Sequence, residues 1–424
     1  MAPTGHAGRN KMKVIIIGAG VVGVTTAWYL TELGHEVTVV ERLPGPAGEA
    51  SYGNAGGICP SFAGPWAAPG MPLKALKWLF DDFPPLKIRP RLDLAQWRWL
   101  LSFLANCNPT SFAENKSSMQ RIAHYSRHCL SELRLKTGIR FDEADKGVLQ
   151  VFQTEEEAEG GRRSAKVLME LGIAHRFVET PEIMRLEPAL KQADASFAGG
   201  LHLPEDGTGD SHLFTRALAD LLIARGCRFH FNTAVTALER DGGKIARIRT
   251  RSDEARDSEM SADAFVLAAG AFAPSLLKPL GIDLPVYPVK GYSITAAISD
   301  DQAAPVSSVM DEHSKVMVTR LGNRLRAAGV AEIAGYDRAL RPEARKGLIA
   351  RVKTLFPDAC DYEQIEFWCG FRPMTPGGPA KVGPTQFANL YLNAGHGSNG
   401  WTQSCGTARI LADLMSGRRP DVEL

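Results

Sequence analysis

Residues 14–23 read VIIIGAGVVG, and this stretch decides the fold of the N-terminal part of the chain. Its first four residues are apolar and β-branched, which predicts a buried parallel strand. Gly18, Gly20 and Gly23 follow with G-x-G-x-x-G spacing at the start of a predicted helix. Glu41 ends the next predicted strand, eighteen residues after Gly23. This strand–turn–helix–strand context is the one that binds a dinucleotide diphosphate.

Each residue of the motif has a physical task. Gly18 permits the tight turn, Gly20 lets the backbone approach the diphosphate, and Gly23 lets helix and strand pack closely. The diphosphate rests on the positive end of the helix dipole. We expect Glu41 to accept hydrogen bonds from the ribose hydroxyls, which disfavours NADP because a carboxylate repels a 2′-phosphate. The motif alone leaves NAD and FAD open.

Length and composition bound the remaining possibilities. A chain of 424 residues predicts about two or three domains. Hydrophobic residues are 44% and charged residues 23%, which excludes a disordered, collagen-like or coiled-coil chain. A net charge of +2 gives no electrostatic reason to expect nucleic-acid binding. The seven cysteines include no C-x-x-C pair, so we expect neither a disulfide framework nor a metal site, and we expect a cytoplasmic protein.

Further elements follow from the hydrophobic pattern. Residues 229–238 and 264–268 predict strands, and 286–298 and 316–334 predict longer antiparallel strands. Asp210 predicts the N-cap of a helix over 212–225. Helices are also predicted over 338–355 and 401–415, and residues 1–11 predict a disordered leader.

Three segments resemble flavin enzymes. Ser51–Gly57 (SYGNAGG), which follows Glu41 and Arg42, resembles the loop that flavin amine oxidoreductases wrap around FAD. Residues 264–274 (AFVLAAGAFAP) resemble their later strand and turn. Residues 395–402 (GHGSNGWT) resemble their last strand-to-helix turn, beneath the isoalloxazine.

The likeness extends over residues 12–417. Residues 52–72, 114–116, 287–293 (YPVKGYS) and 370–376 (GFRPMTP) resemble the bacterial D-amino acid dehydrogenase, small-subunit type. That group belongs to the D-amino acid oxidase-like superfamily of FAD-dependent oxidoreductases. The chain departs from it at 376–378 (PGG), where the family usually has an acid after the proline.

The resemblance implies an α/β fold, α+β overall, in which a Rossmann-like FAD-binding domain is interleaved with a substrate domain built on an antiparallel sheet. The FAD-binding domain would comprise 12–72, 205–275 and 380–424, and the substrate domain 73–204 and 276–379. The expected contacts of a noncovalent FAD are Gly18, Gly20, Val22, Gly23, Glu41, Arg42, Ser51, Asn54, Ala55, Gly56, Val235, Ala269, Gly270, Gly395, Gly397, Gly400, Trp401 and Thr402.

Four residues are candidates for the chemistry. We expect Arg372, in the apolar GFRP segment, to grip a substrate carboxylate in a bidentate manner. Tyr292 and Tyr287 are either substrate-binding hydroxyls or core aromatics. By resemblance, His396 approaches the pyrimidine edge of the flavin; a satisfied turn histidine is the alternative.

The resemblance implies oxidative deamination of D-amino acids, with hydride transfer from Cα to flavin N5 and electrons passed to a quinone or another acceptor. One alternative is a dehydrogenase of D-proline or 4-hydroxy-D-proline, whose product is a cyclic imine. A non-catalytic FAD-binding subunit is another. An NAD(P)H-dependent reductase is disfavoured because no second fingerprint occurs in the right context.

The segment 66–99 carries Trp66, Trp78, Trp97 and Trp99 among lysines and arginines. Two interpretations stay open. Interleaved tryptophan and cation suits peripheral contact with the inner face of a membrane. A lid helix packed over the substrate domain, with solvated charges, explains the same composition.

Overall fold

The computed structural model describes residues 11–78, 84–170, 172–252 and 257–423. The leader predicted for residues 1–11 therefore lies outside the described residues, apart from Lys11. The helices are α1 Val21–Glu32, α2 Met71–Lys77, α3 Leu94–Asn106, α4 Pro109–Thr137, α5 Glu155–Glu170, α6 Thr180–Leu186, α7 Ser211–Ala224, α8 Ala273–Leu277, α9 Pro342–Leu355 and α10 Gly400–Met415.

The strands are β1 Lys13–Ile17, β2 Glu36–Val40, β3 Gly57–Ile58, β4 Leu86–Ile88, β5 Val148–Phe152, β6 Arg176–Val178, β7 Gly199–Leu203, β8 Gly207–Thr208, β9 Arg228–His230, β10 Thr233–Asp241, β11 Lys244–Ser252, β12 Ser258–Met260, β13 Ala264–Leu267, β14 Tyr287–Ala297, β15 Ser308–Asp311, β16 Val316–Leu321, β17 Arg324–Ile333, β18 Glu366–Met374, β19 Lys381–Pro384 and β20 Leu390–Ala394.

The first sheet contains the N-terminal strand in its middle. Its strand order is β19–β20–β13–β1–β2–β9, and every pair is parallel except β19 with β20. α1, α7 and α10 cover one face through a core that includes Ile16, Val24 and Leu218. The small antiparallel sheet β10–β11–β12 covers the other face, where Ile15 and Phe265 are buried. Both faces are therefore covered, as the apolar run Val14–Ile17 of β1 predicts.

The second sheet is largely antiparallel. Its order is β18–β14–β17–β16–β15–β5–β7–β6, with β4 paired to β17. The hairpin of β16 and β17, which lies within the segment 316–334, turns at Gly322 and Asn323. α6 and α9 bury one face of this sheet through Ile183 and Leu348. The opposite face turns toward the first sheet, and the predicted combination of a parallel α/β layer with an antiparallel sheet is confirmed.

Two predicted elements are wrong in detail. The strand expected over 229–238 is two strands, β9 and β10, which belong to different sheets because the chain turns at Asn232 (φ 49°). The helix expected from residue 338 begins at Pro342, because proline lacks the amide hydrogen that a helix interior needs. The predicted N-cap is confirmed, since the Asp210 carboxylate accepts from the backbone N–H of His212 (2.8 Å) and Leu213 (3.2 Å).

The contact of α1 with β1 is tight at Gly23. A Cβ atom added there would lie 1.9 Å from the carbonyl oxygen of Gly18. At Gly20, an added Cβ would meet only the Ser51 hydroxyl, at an ordinary 3.6 Å. The two glycines of one motif are thus required for different reasons, and only Gly23 is required by helix–strand packing.

We expect Gly23→Ala to lower the free energy of unfolding by about 3 kcal/mol or more, because backbone must move to accept the methyl group. Gly20→Ala is the matched control and should cost about 1 kcal/mol or less. Urea unfolding of the ligand-free proteins measures both. Equal losses would contradict the packing role assigned to Gly23.

Candidate active site

A cavity of about 810 Å³ lies between the two sheets, within the size range of small-molecule sites. One wall consists of the ends of β1 and β2 together with the turn before α10. The other wall is the inward face of the second sheet, which contributes Gly291, residues 328–331 and Arg372. The site is thus built where parallel strands end, which is the usual binding edge of an α/β sheet.

The N-terminus of α1 opens onto this cavity. Gly20, Val21 and Val22 line it, and the backbone N–H of Val21 donates to the Ser51 hydroxyl at 3.0 Å. The α1 N-cap is a glycine and supplies no side-chain oxygen. The positive end of the helix dipole therefore faces the cavity, which suits a diphosphate.

Glu41 lines the same part of the cavity. Its carboxylate accepts from the backbone N–H of Ala19 (2.8 Å) and of Leu43 (3.0 Å). Burial raises the pKa of Glu41, and the two amide bonds oppose that rise. A fixed carboxylate beside a helix N-terminus fits the ribose and diphosphate of a dinucleotide, so the residues present fit FAD.

Most of the expected cofactor contacts lie on the cavity wall. The lining members are Gly18, Gly20, Val22, Glu41, Arg42, Ser51, Asn54, Ala55, Val235, Ala269, Gly270, Gly395, Gly397, Gly400, Trp401 and Thr402. The lining does not include Gly23, which packs α1 on β1, or Gly56, whose N–H donates to the Asn54 side chain at 2.8 Å.

His396 lies in the turn between β20 and α10. It lines the cavity but is only 3% exposed, and its Nε2 lies 3.1 Å from the Thr407 hydroxyl of α10. Burial lowers the pKa of His396 to about 4. The imidazole is therefore neutral at physiological pH, and its contact with Thr407 fixes the turn to the helix that follows.

Arg372 projects into the cavity from β18 without an acidic partner. Among the described residues, no carboxylate lies within ion-pair distance of its guanidinium, and its Nη1 donates to the Val330 carbonyl at a long 3.4 Å. Burial lowers the pKa of Arg372 to about 10. The group is still charged at neutral pH. A buried charge without a counter-ion is costly, so this position favours an anionic ligand.

Two neighbours shape the space around this guanidinium. A Cβ atom added to Gly291 on β14 would lie 2.0 Å from Arg372 Nη1, so only glycine leaves room for the side chain. The Trp66 ring lies beneath the guanidinium, with Cζ 5.7 Å from the ring centroid. The aromatic face stabilises the cation without neutralising it.

The two candidate tyrosines are placed differently from Arg372. Tyr292 contributes to the cavity wall, but its hydroxyl donates to Glu332 Oε2 at 3.2 Å and its ring stacks on Phe367 in the core beneath α9. Tyr287 does not line the cavity and packs against Trp99, with ring centroids 5.8 Å apart. Among the described residues, neither hydroxyl hydrogen-bonds to the guanidinium, both rings are buried, and a role for these tyrosines in substrate binding stays a prediction.

Sequence reasoning missed the apolar part of the wall. Beside Arg372 the cavity is lined by Trp66, Met71, Leu86, Phe103 and Val330. Trp368 was also missed, although a Cβ at Gly53 would lie 2.0 Å from its ring. The glycine at 53 was the available signal, because glycine in an ordered loop often marks a close approach.

Comparisons with known proteins agree with this geometry. The family model described as FAD dependent oxidoreductase matches residues 13–414. A D-amino acid dehydrogenase from Azorhizobium caulinodans is 49% identical over 411 residues, covering 97% of each chain. One from Granulibacter bethesdensis is 48% identical over 412 residues, again covering 97% of each.

Solved structures show the same fold. A glycine oxidase from Bacillus cereus superposes with a TM-score of 0.73 at 22% identity, over 96% of this chain and 95% of that one. The L-α-glycerophosphate oxidase from Mycoplasma pneumoniae, solved with FAD bound, gives 0.69 at 18% identity, over 96% and 95%. The predicted fold class is confirmed by these likenesses.

Affinity for a small carboxylate such as propionate should be flat from pH 7 to 9 and fall as the pH rises through about 10, the pKa of Arg372. Only the charged guanidinium attracts the anion, so the loss should approach about tenfold per pH unit above that value. Calorimetric titration at several pH values measures it, with uncharged propionamide as the control. Carboxylate affinity that persists unchanged to pH 11 would contradict the lowered pKa of Arg372.

Proposed function

This chain belongs to the FAD dependent oxidoreductase family, and from that premise we propose that it oxidises D-amino acids to 2-oxo acids and ammonia. The relatives from Azorhizobium and Granulibacter, near half identity over almost the whole chain, carry the name of that activity. The observation that carries the proposal is the unpaired Arg372 in the cavity wall.

The division into two domains follows the strands. Every strand of the first sheet falls within 12–72, 205–275 or 380–424, and every strand of the second within 73–204 or 276–379. These are the boundaries that we propose for the FAD-binding and substrate domains.

FAD, when bound, would supply a two-electron acceptor, at flavin N5, for the hydride of the substrate Cα. The protein's own contribution is orientation. Arg372 fixes the substrate carboxylate in a bidentate manner, which leaves one rotation to aim Cα. The apolar wall around it excludes water and strengthens that electrostatic contact. The oxidised product is an imine, which water converts to the 2-oxo acid and ammonia.

The turn before α10 would hold the pyrimidine edge of the flavin. Gly395, His396 and Gly397 line the cavity, and α10 begins at Gly400. The helix N-terminus favours negative charge there. Since His396 is neutral at physiological pH, we propose that it acts by contact and not as a charged acid. The position of Cys369 supports noncovalent binding of FAD. Its thiol donates to the Arg338 carbonyl on the side of β18 that faces away from the cavity, so it is not directed at the flavin.

We expect Arg372→Met to raise KM for a D-amino acid by at least about 100-fold, or about 3 kcal/mol, with FAD content unchanged. Arg372→Lys should retain part of the binding, because charge remains but the bidentate fork is lost. Anaerobic bleaching of the flavin band by D- and L-amino acids, including the prolines, provides the assay. Arg320→Met is the matched control, because Arg320 is a half-buried arginine on β16 that pairs with Asp301 and does not line the cavity.

The outcomes separate the alternatives. Bleaching by D- but not L-isomers supports the proposal, and ammonia release distinguishes ordinary D-amino acids from D-proline or 4-hydroxy-D-proline. Bound flavin that no amino acid bleaches would instead favour a non-catalytic subunit. Unchanged KM in Arg372→Met would remove the carboxylate anchor from the mechanism.

We also propose that electrons leave to a quinone and that the protein rests on the inner face of a membrane, with its body in the cytoplasm. α3 supports this. Its inner side packs on the second sheet, where Trp99 Nε1 donates to the Met374 carbonyl at 2.8 Å. Its outer side carries the exposed stripe Leu94, Trp97, Leu101 and Leu104, at the spacing of one helical face. The inner side of α3 thus covers the second sheet, and its outer side is an uncovered apolar face.

The occupant that fits this face is an anionic lipid surface. Leu73 and Leu76 of α2 are also exposed, and the same two helices carry the exposed cations Lys74, Lys77 and Arg98. Met71 and Phe103, from these helices, line the cavity, so the cavity extends to them. Apolar insertion and attraction to anionic headgroups would act together. No helix in the described part of the chain is long and apolar enough to cross a membrane.

Leu94→Gln with Leu101→Gln should reduce the partition constant onto vesicles containing anionic lipid, measured by flotation, by about 100-fold, because two inserted leucines each contribute about 1.5 kcal/mol or more. The control is Leu135→Gln with Met169→Gln, since these residues are at least as exposed (89% and 66%) on other helices. Flavin bleaching should be unchanged in both proteins. Equal flotation of the two double variants would exclude this face as the contact.

A further inference from the structure

Arg326 is a buried arginine on the inward face of the second sheet. It is 3% exposed and lies on β17, two residues before Ala328 of the cavity wall. Leu325 and Ala327 point to the core beneath α9, so alternation places Arg326 and Ala328 on the same, cavity-facing side. Its Nε donates to the Thr295 hydroxyl of β14 at 3.0 Å, which fixes the plane of the guanidinium.

The guanidinium reaches across to the other domain. Nη1 donates to the carbonyl oxygen of Tyr52 at 3.0 Å and to that of Asn54 at 3.4 Å. Between these two carbonyls lies Gly53, which lines the cavity together with Asn54. The SYGNAGG loop, which the family resemblance assigns to FAD, is thus held by a side chain from the substrate sheet.

The charge of Arg326 is balanced within a small network. Asp210 Oδ2 lies 3.6 Å from Arg326 Nη1 and 2.9 Å from Arg324 Nη2, and Arg324 also pairs with Asp142 at 2.8 Å. Asp210 is itself fixed, because its other oxygen caps α7 of the first domain. Two guanidiniums and two carboxylates therefore form a network that joins both domains and α7.

We propose that Arg326 is a positioning residue that holds the Tyr52–Asn54 carbonyls, and with them the flavin loop, against the substrate sheet. The proposal rests on FAD binding in this cavity. The Arg326 side chain thereby fixes the Tyr52–Asn54 loop relative to β17. Residues 328–331 of β17 belong to the opposite wall of the cavity. The separation between cofactor and substrate wall is then set by a hydrogen-bonded contact and not by packing alone.

The test compares Arg326→Met with the conservative Arg326→Lys. Methionine retains length but donates no hydrogen bond, so we expect the FAD dissociation constant to rise at least about tenfold and the visible circular dichroism of bound flavin to change. KM for a D-amino acid should change less than about twofold at saturating FAD, because Arg372 is untouched. Lysine retains the charge and one donor and should recover part of the FAD affinity. Arg320→Met is the control and should match the wild type.

Thr295→Val supplies a variant with little risk to folding. It removes the acceptor that orients Arg326 and leaves the charge network in place, so we expect FAD affinity to fall about threefold. If Arg326→Met does not fold, the FAD affinity of Thr295→Val alone tests the proposed role of Arg326. FAD affinity and flavin dichroism identical to wild type in Thr295→Val and in any folded Arg326→Met would overturn the proposal. A wild-type protein that binds no FAD would overturn the proposed function itself, which keeps the two failures distinct.

Discussion

The close approach of α1 to β1 is the constraint on which the rest of the structure depends. With no side chain at Gly23, the helix lies directly on the strand, and its N-terminus points past the end of β1. α10 and α7 then pack on α1 within one core, and α10 carries the turn that contains His396. If a methyl group at position 23 displaced α1, the helix N-terminus that would hold the diphosphate would move. The turn before α10, which would hold the flavin, would move with it.

The opposite wall of the cavity is distinguished by the charge of a buried side chain, and not by close packing of the backbone. Arg372 is kept ionised in apolar surroundings by Trp66 and by the space that Gly291 leaves. Lys290 and Glu332, by contrast, pair at 3.0 Å on the other face of the same sheet, where the Tyr292 hydroxyl joins them. On the core side of the sheet these charges are satisfied internally, whereas Arg372 on the cavity side has no acidic partner among the described residues.

Much of the fold could be predicted from the sequence, because its signals are local. Fingerprint, strand and acid lie within thirty residues, and the N-cap at Asp210 is set by its own helix. Local signals could not predict how the strands of the two sheets alternate along the chain, since pairing of β1 with β13 joins residues 250 positions apart. The direction of Tyr292 was not predictable, because a bulge between Gly291 and Tyr292 shifts the register. Arg326 was not predictable either, because its contacts with the loop are made to backbone carbonyls, which the sequence of side chains does not reveal.

The order of strands in the first sheet has a consequence for biosynthesis. β1 lies between β2 and β13, and β20, which is followed by α10, comes more than 120 residues after β13 in the chain. A ribosome must therefore release every residue through α10 before the flavin cavity has its last wall. Until then the apolar strands β1 and β13 lack part of their cover, which exposes the nascent chain to aggregation. Such a protein gains from late cofactor capture, since FAD can bind and stabilise only the finished molecule.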